Sequence, residues 1–142
     1  MRVITLALLS LALLLCVVTT GCGTAPPVEP GKPALLAFLD RTTASRSSAV
    51  VCVSMSEQYR AKGLRVIVVT EGSADELTNL THDWHLGRIE LRPASAGLAS
   101  RYAVTSVPTT LLLDADGKVR QRWQGALVPQ SVAIPVQQIM ER

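Results

Sequence analysis

The chain has 142 residues, 48% hydrophobic and 18% charged, with a net charge of +3 and only 4% aromatic residues. That length makes one domain with a core large enough to stand without staples. The weak positive charge and the scarcity of aromatic side chains exclude a nucleic-acid surface, which needs a basic face or stacking platforms.

The first segment is an address. Arg2 is followed by an almost unbroken apolar run from 3 to 18, then by Thr19-Thr20-Gly21-Cys22. These residues resemble the lipobox of bacterial lipoproteins, with Thr19 standing where Leu is usual. The resemblance implies that residues 1–21 are a signal peptide cut before Cys22, whose sulfur then carries a diacylglyceryl group. An uncleaved signal anchor and an ordinary secretory signal are the competing assignments, but the apolar run falls short of the ~20 residues that span a bilayer. Several acyl chains anchor durably, at ~0.8 kcal/mol per buried CH₂. The expected partner is therefore a membrane, reached through lipid at Cys22, on the extracytoplasmic side of a bacterial cell envelope. Residues 22–33, with four prolines, form a spacer. Residues 34–142 are then the domain.

Of the three cysteines, Cys16 leaves with the signal and Cys22 is consumed as a thioether. Cys52 alone remains a thiol, so no internal disulfide can form.

The apolar run 34–39 has the pattern of a strand buried on both faces. Thr42, Thr43 and Ser45 follow, residue types that cap helices. Residues 47–62 carry a conflict. Val50, Val51 and Val53 are β-branched and favour a strand. Cys52, Met55 and Tyr59 lie at i, i+3 and i+7, and a solvated ending before Gly63 favours a helix. Residues 64–70 form a second buried strand, which completes a right-handed βαβ unit if 47–62 is helical. Ser73-Ala74-Asp75-Glu76 is a capping box, and Leu77, Leu80 and Trp84 extend a helix to near Gly87. His82 and His85 share a face of it. A metal site needs three or four ligands and none cluster with them, so they are expected to face solvent and no metal is expected. A short strand at 89–91 and a short helix at 94–101 follow.

The most informative stretch is 102–117, Tyr-Ala-Val-Thr-Ser-Val-Pro-Thr-Thr-Leu-Leu-Leu-Asp-Ala-Asp-Gly. Pro108 cannot donate to a ladder and must stand at the mouth of the strand it introduces. Asp116-Gly117 supplies hairpin-turn chemistry. Residues 114–117 also mimic the opening of a calcium loop, but the third oxygen ligand and the closing acid are missing. Lys118, Arg120 and Arg122 alternate with Val119, Gln121 and Trp123, an edge strand guarded by charge. Anionic lipid headgroups are a secondary partner for that basic row. The tail from Pro129 is a final helix, capped by Ser131 or starting at Pro135, because proline deep inside a helix costs ~3 kcal/mol.

Val107-Pro108-Thr109-Thr110, the apolar strand, Asp-Gly and the polar strand together resemble the second half of a thioredoxin-like domain. The likeness is to the membrane-anchored TlpA and ResA type and the related AhpC/TSA-like redoxins, and it extends from about Gly31 to the end of the chain. It implies an α/β fold with a central mixed sheet of four or five strands flanked by helices. It also implies that 47–62 is helical and that Pro108 is a cis-proline, with Val107 and Thr109 lining a groove beside a redox-active Cys-x-x-Cys. Counting forward from Phe38 places the first cysteine position at Thr43. Counting back from residues 62–64 places the pair at Thr42 and Ser45. Neither count finds a cysteine.

Thiol-disulfide exchange needs a thiolate as attacker and as leaving group, and a hydroxyl is too weakly acidic to replace it near neutral pH. No Gly-x-Ser-x-Gly elbow and no histidine partner accompanies these hydroxyls. No glycine-rich dinucleotide or phosphate loop occurs, so no cofactor is expected. Two function classes follow. The first is a redox-inactive lipoprotein that binds an envelope protein or peptide between Val107, Pro108 and Thr109 and the degenerate positions Thr42, Thr43 and Ser45. The second is a thiol-disulfide oxidoreductase or antioxidant redoxin that uses Cys52 as its sole thiol. On the helical stripe Cys52 faces the sheet as an inert hydrophobe. A peroxidatic cysteine belongs in the first turn, in an open electropositive pocket.

Overall fold

The computed structural model describes residues 28–142. The expected signal peptide, Cys22 and the first part of the expected spacer lie outside the described residues. The elements run β1 (Ala34–Phe38), α1 (Thr43–Tyr59), a 3₁₀ turn (Arg60–Lys62), β2 (Arg65–Thr70), α2 (Ala74–Asp83), β3 (Glu90–Pro93), α3 (Ala96–Arg101), β4 (Thr109–Leu113), β5 (Val119–Gln124) and α4 (Pro129–Met140). The sheet order is β3-β2-β1-β4-β5. β1, β2 and β3 are parallel, whereas β4 is antiparallel to both β1 and β5. This is the mixed α/β sheet expected from the sequence.

β1 is central and all its residues are buried, which explains its unbroken apolar run. Its side chains alternate between two cores. Leu35 and Ala37 join Cys52, Met55, Tyr59, Val132 and Val136 under α1 and α4. Ala34, Leu36 and Phe38 join Ile67, Val69, Leu98 and Tyr102 on the α3 side. Residues 47–62 are helical despite their valines. Propensity differences among such residues are below ~0.7 kcal/mol each. Burying Val51, Met55 and Tyr59 against the sheet outweighs them, at roughly 1.5–3 kcal/mol per large side chain.

The capping box of α2 forms as expected: the Ser73 N–H donates to Glu76 Oε2 at 2.6 Å, and the Glu76 N–H to Ser73 Oγ at 3.4 Å. α2 stops at Asp83 rather than near Gly87. His85 and Gly87 take left-handed φ values of 52° and 60°, which ends the helix and turns Leu86 into the core. His82 and His85 are both exposed.

Three further departures have physical causes. The packed unit extends upstream of Ala34: Val28 is buried, its N–H donates to Tyr102 Oη at 3.2 Å, and the Gly31 N–H donates to the Ala115 carbonyl at 2.7 Å. α4 starts at Pro129 and carries Pro135 within it, so neither expected start holds. Ser131 does not cap the helix; its hydroxyl donates to the Val128 carbonyl at 2.8 Å. The helix accepts Pro135 because Val132, Val136 and Ile139 are buried on either side of it. The basic row of β5 is partly engaged: Arg120 Nε lies 2.5 Å from Asp114 Oδ2, and Arg122 donates to the Tyr102 carbonyl at 2.5 Å.

Candidate functional site

The chain leaves β1 and turns at once into α1. Thr42 is the N-cap, with extended backbone, and its Oγ1 accepts the Ser45 N–H at 3.3 Å. Asp40 gathers the rest of the turn. Its Oδ1 accepts the Thr42 N–H at 3.1 Å, the Thr42 hydroxyl at 2.5 Å and the Ser45 hydroxyl at 2.5 Å. The Asp40 N–H donates to Ser45 Oγ at 3.0 Å. The Ser45 hydroxyl, and next the Thr42 hydroxyl, hold the Asp40 carboxyl below its usual range. Both hydroxyl protons are thus committed to a weakly basic carboxylate, which is a poor general base. Neither oxygen is activated as a nucleophile.

Thr42 and Ser45 meet on one oxygen at the helix mouth, while Thr43 is exposed and takes no part in the network. Asp40 itself was not singled out from the sequence, although an aspartate two residues before a threonine cap is a recognisable turn signal. Replacing it has a calculable effect. Asp40→Ala leaves the Ser45 hydroxyl, which is fully buried, without its acceptor and is expected to cost about 1–3 kcal/mol in urea unfolding at pH 7. The carboxylate's stabilising effect is present above its unfolded pKa of about 3.9 and is lost as pH falls through the lower folded value. The gap between wild type and variant should therefore narrow in strong acid without closing, because the protonated carboxyl can still accept the Ser45 hydroxyl. A constant difference at all pH values would remove the ionised carboxylate from this account.

Across the groove stands the Val107-Pro108 peptide, which is cis as expected. β4 follows, and its first residue, Thr109, pairs with Phe38 at the end of β1, which brings Pro108 beside the Asp40 turn. Thr109 Oγ1 donates to the Ser106 carbonyl at 2.7 Å, and the Pro108 carbonyl accepts the Gly125 N–H at 2.8 Å. Val107 is 48% exposed. Among the described residues its backbone N–H and C=O have no hydrogen-bond partner. Beside it opens a cavity of about 560 Å³ with an apolar floor of Phe38, Val69, Ala99 and Val104. Asp40, Arg41 and Glu71 form its polar rim, with the Arg41 guanidinium donating to the Glu71 carbonyl at 3.2 Å.

Cys52 lies elsewhere. It sits ten residues beyond Thr42, about 15 Å along the helix axis, on the face packed against the sheet. It is fully buried, and burial pushes its thiol up to about 12. The structure does not bring this sulfur to the groove.

No protein-family model and no curated protein matches the sequence. Solved structures do match the fold. A DsbE-type thiol:disulfide interchange protein from Chlorobium tepidum has a TM-score of 0.66 at 23% identity, over 78% of this chain and 79% of that one. The exposed lipoprotein thioredoxin of Streptococcus pneumoniae gives 0.65 at 17% identity, over 76% and 85%. StoA from Bacillus subtilis gives 0.62 at 15%, over 74% and 82%. These likenesses, with the observed sheet order and the groove at Pro108, establish that the chain has a thioredoxin-like fold.

Proposed function

We propose that this chain is a redox-inactive thioredoxin-fold lipoprotein that holds an extended segment of an envelope protein in the groove beside Val107. One observation carries this reading: Thr42 and Ser45, both bound to Asp40, occupy the helix mouth where exchange chemistry needs sulfur. The domain's thiol, Cys52, is in the core. The unpaired backbone groups of Val107 suit the addition of a short strand, and the adjoining cavity suits an apolar side chain of that strand.

The lipobox-like residues around Cys22 support an anchor on the extracytoplasmic side, and one structural neighbour is itself described as an exposed lipoprotein. Among the described residues no helix is long and apolar enough to cross a membrane. A second reading, a thiol-disulfide oxidoreductase or redoxin dependent on Cys52, is favoured by the names of the neighbouring structures, which are thiol:disulfide proteins. The burial of that sulfur weighs against it.

A photo-crosslinking residue at position 107 of the full chain, irradiated in its own membrane, tests the groove. The expected result is a discrete protein adduct, absent when the same group stands at Val119, exposed at the far end of β5 from the groove. Equal labelling from both positions, or none from 107, defeats the proposal.

A further inference from the structure

A second hollow lies on the other face of the sheet. Ser56 and Glu57 of α1, with Arg60 just beyond it, line one wall; His85, Gly87 and Arg88, in the link between α2 and β3, line the other, around a volume of about 280 Å³. Arg65, which opens β2 shortly after Arg60, pairs with Ala34 at the start of β1, and Arg88 stands two residues before β3. The hollow therefore sits where the parallel strands begin, whereas the groove at Val107 sits where they end. Its polar groups are uncommitted. Arg65, Arg92 and Arg120 are each ion-paired, but among the described residues Arg60 and Arg88 are not. The N–H groups of Gly87 and Arg88 have no backbone partner among those residues either. Ser56 is 8% exposed and its hydroxyl has no hydrogen-bond partner among them, whereas the Ser48 hydroxyl two turns earlier donates to the Ala44 carbonyl at 3.0 Å. A nearly buried hydroxyl left unpaired by the chain calls for a partner from outside it.

We propose that this hollow binds a phosphate group, supplied by a small soluble ester or by an anionic lipid headgroup. Guanidinium groups match phosphate oxygens in pairs, and free backbone N–H groups and a hydroxyl complete such a cradle. Each uncommitted group here can donate: two guanidinium groups, the His85 imidazole, the Ser56 hydroxyl and two backbone N–H groups. Glu57 opposes them, but Arg60 and Arg88 outweigh its single negative charge without counting His85. The negative end of the α1 dipole opposes an anion too. The Tyr59 and Arg60 carbonyls there, however, already accept the Leu64 and Gly63 N–H groups. The volume is slightly below the ~300 Å³ at which ordinary ligand pockets begin, so the occupant is compact. The chain also enters the domain at this end, where the Pro33 carbonyl accepts the Arg65 N–H at 3.0 Å, so a lipid-held Cys22 brings headgroups within reach. The inference is independent of the proposed function, because the cavity beside Val107 is floored by Phe38 and Val69 on the opposite face of the sheet.

Isothermal titration calorimetry of the detergent-solubilised full chain is the test, with inorganic phosphate, glycerol 3-phosphate and the short-chain lipid dihexanoylphosphatidylglycerol as probes. Saturable binding of at least one probe is expected. Arg60→Gln and Arg88→Gln should each weaken it at least about tenfold, because each removes hydrogen bonds between charged groups. Glu57→Gln should tighten it, because the opposing charge goes. Lys118→Gln, in the turn before β5, should leave it unchanged, and thermal melts followed by circular dichroism should show all four variants folded. Tighter binding of glycerol 3-phosphate assigns the site to a soluble ester and tighter binding of the lipid to a headgroup; either supports the proposal when both arginine variants lose it. No saturable binding of any probe overturns it, as does binding indifferent to Arg60→Gln and Arg88→Gln or reproduced by chloride at equal ionic strength.

Discussion

A chain carrying both Thr42→Cys and Ser45→Cys should reduce insulin disulfides in the presence of dithiothreitol, whereas the parent chain should not exceed the uncatalysed background. The two positions are already close. Each hydroxyl lies 2.5 Å from the same Asp40 oxygen, so the two are at most about 5 Å apart. Thr42 is also the N-cap of a 17-residue helix, where free N–H groups and the helix dipole favour a thiolate and bring cysteine pKa values into the ~3.5–7.5 range. The expected gain is on the order of 10²-fold, because at neutral pH a thiolate is present and an alkoxide is not. Asp40 opposes part of this gain, since a carboxylate beside a sulfur disfavours its negative charge. Adding Asp40→Asn should raise the activity of the double variant further. If the parent chain reduces insulin and Cys52→Ser abolishes the activity, redox inactivity is wrong.

Cys52 should be silent towards Ellman's reagent in the native protein at pH 8 and react freely in urea. With its thiol pushed up to about 12, the thiolate fraction at pH 8 is about 10⁻⁴, some thousandfold below that of an ordinary cysteine near 9, even before access is considered. Burial adds the requirement that the domain first open. The same shift makes stability depend on pH in a defined direction. Below the unfolded thiol value of 9.0 both states hold the proton and stability is unaffected. Between there and about 12 only the unfolded state releases it, so stability falls as pH rises through that window. Cys52→Ala should flatten the alkaline decline in a urea-unfolding series. A native-state reaction rate close to that in urea would put the sulfur at the surface and revive the thiol-dependent reading.

Much of the scaffold was legible because short local patterns dictate it. The five-residue apolar run of β1, the Ser73–Glu76 box, and Val107-Pro108 followed by Thr109 and an Asp-Gly turn need little tertiary information. Other parts depended on packing. The valines of α1 pull towards a strand, and only the sheet beneath Met55 and Tyr59 settles the matter. The end of α2 hangs on a positive φ at His85, a residue type that carries no strong code for it. Pro135 shows the converse: a strong local signal to stop is overruled by burial on either side. At the site, the absence of cysteine from positions 42 to 45 is plain in the sequence. The role of Asp40 is not, because its meeting with both hydroxyls exists only once β1 and α1 are joined at this angle.

The way Gly31 is stitched to Ala115 determines which way the groove looks. Ala115 follows Leu113, which pairs with Ala34 at the start of β1, whereas Val107 lies past Phe38 at its finish. The leading segment therefore departs from one pole of the molecule and the cleft opens at the other, roughly 17 Å away along the strand. Any surface gripping that leader would see the blunt pole, and the cleft would point outward, able to reach freely diffusing or distant chains in preference to those embedded beside it.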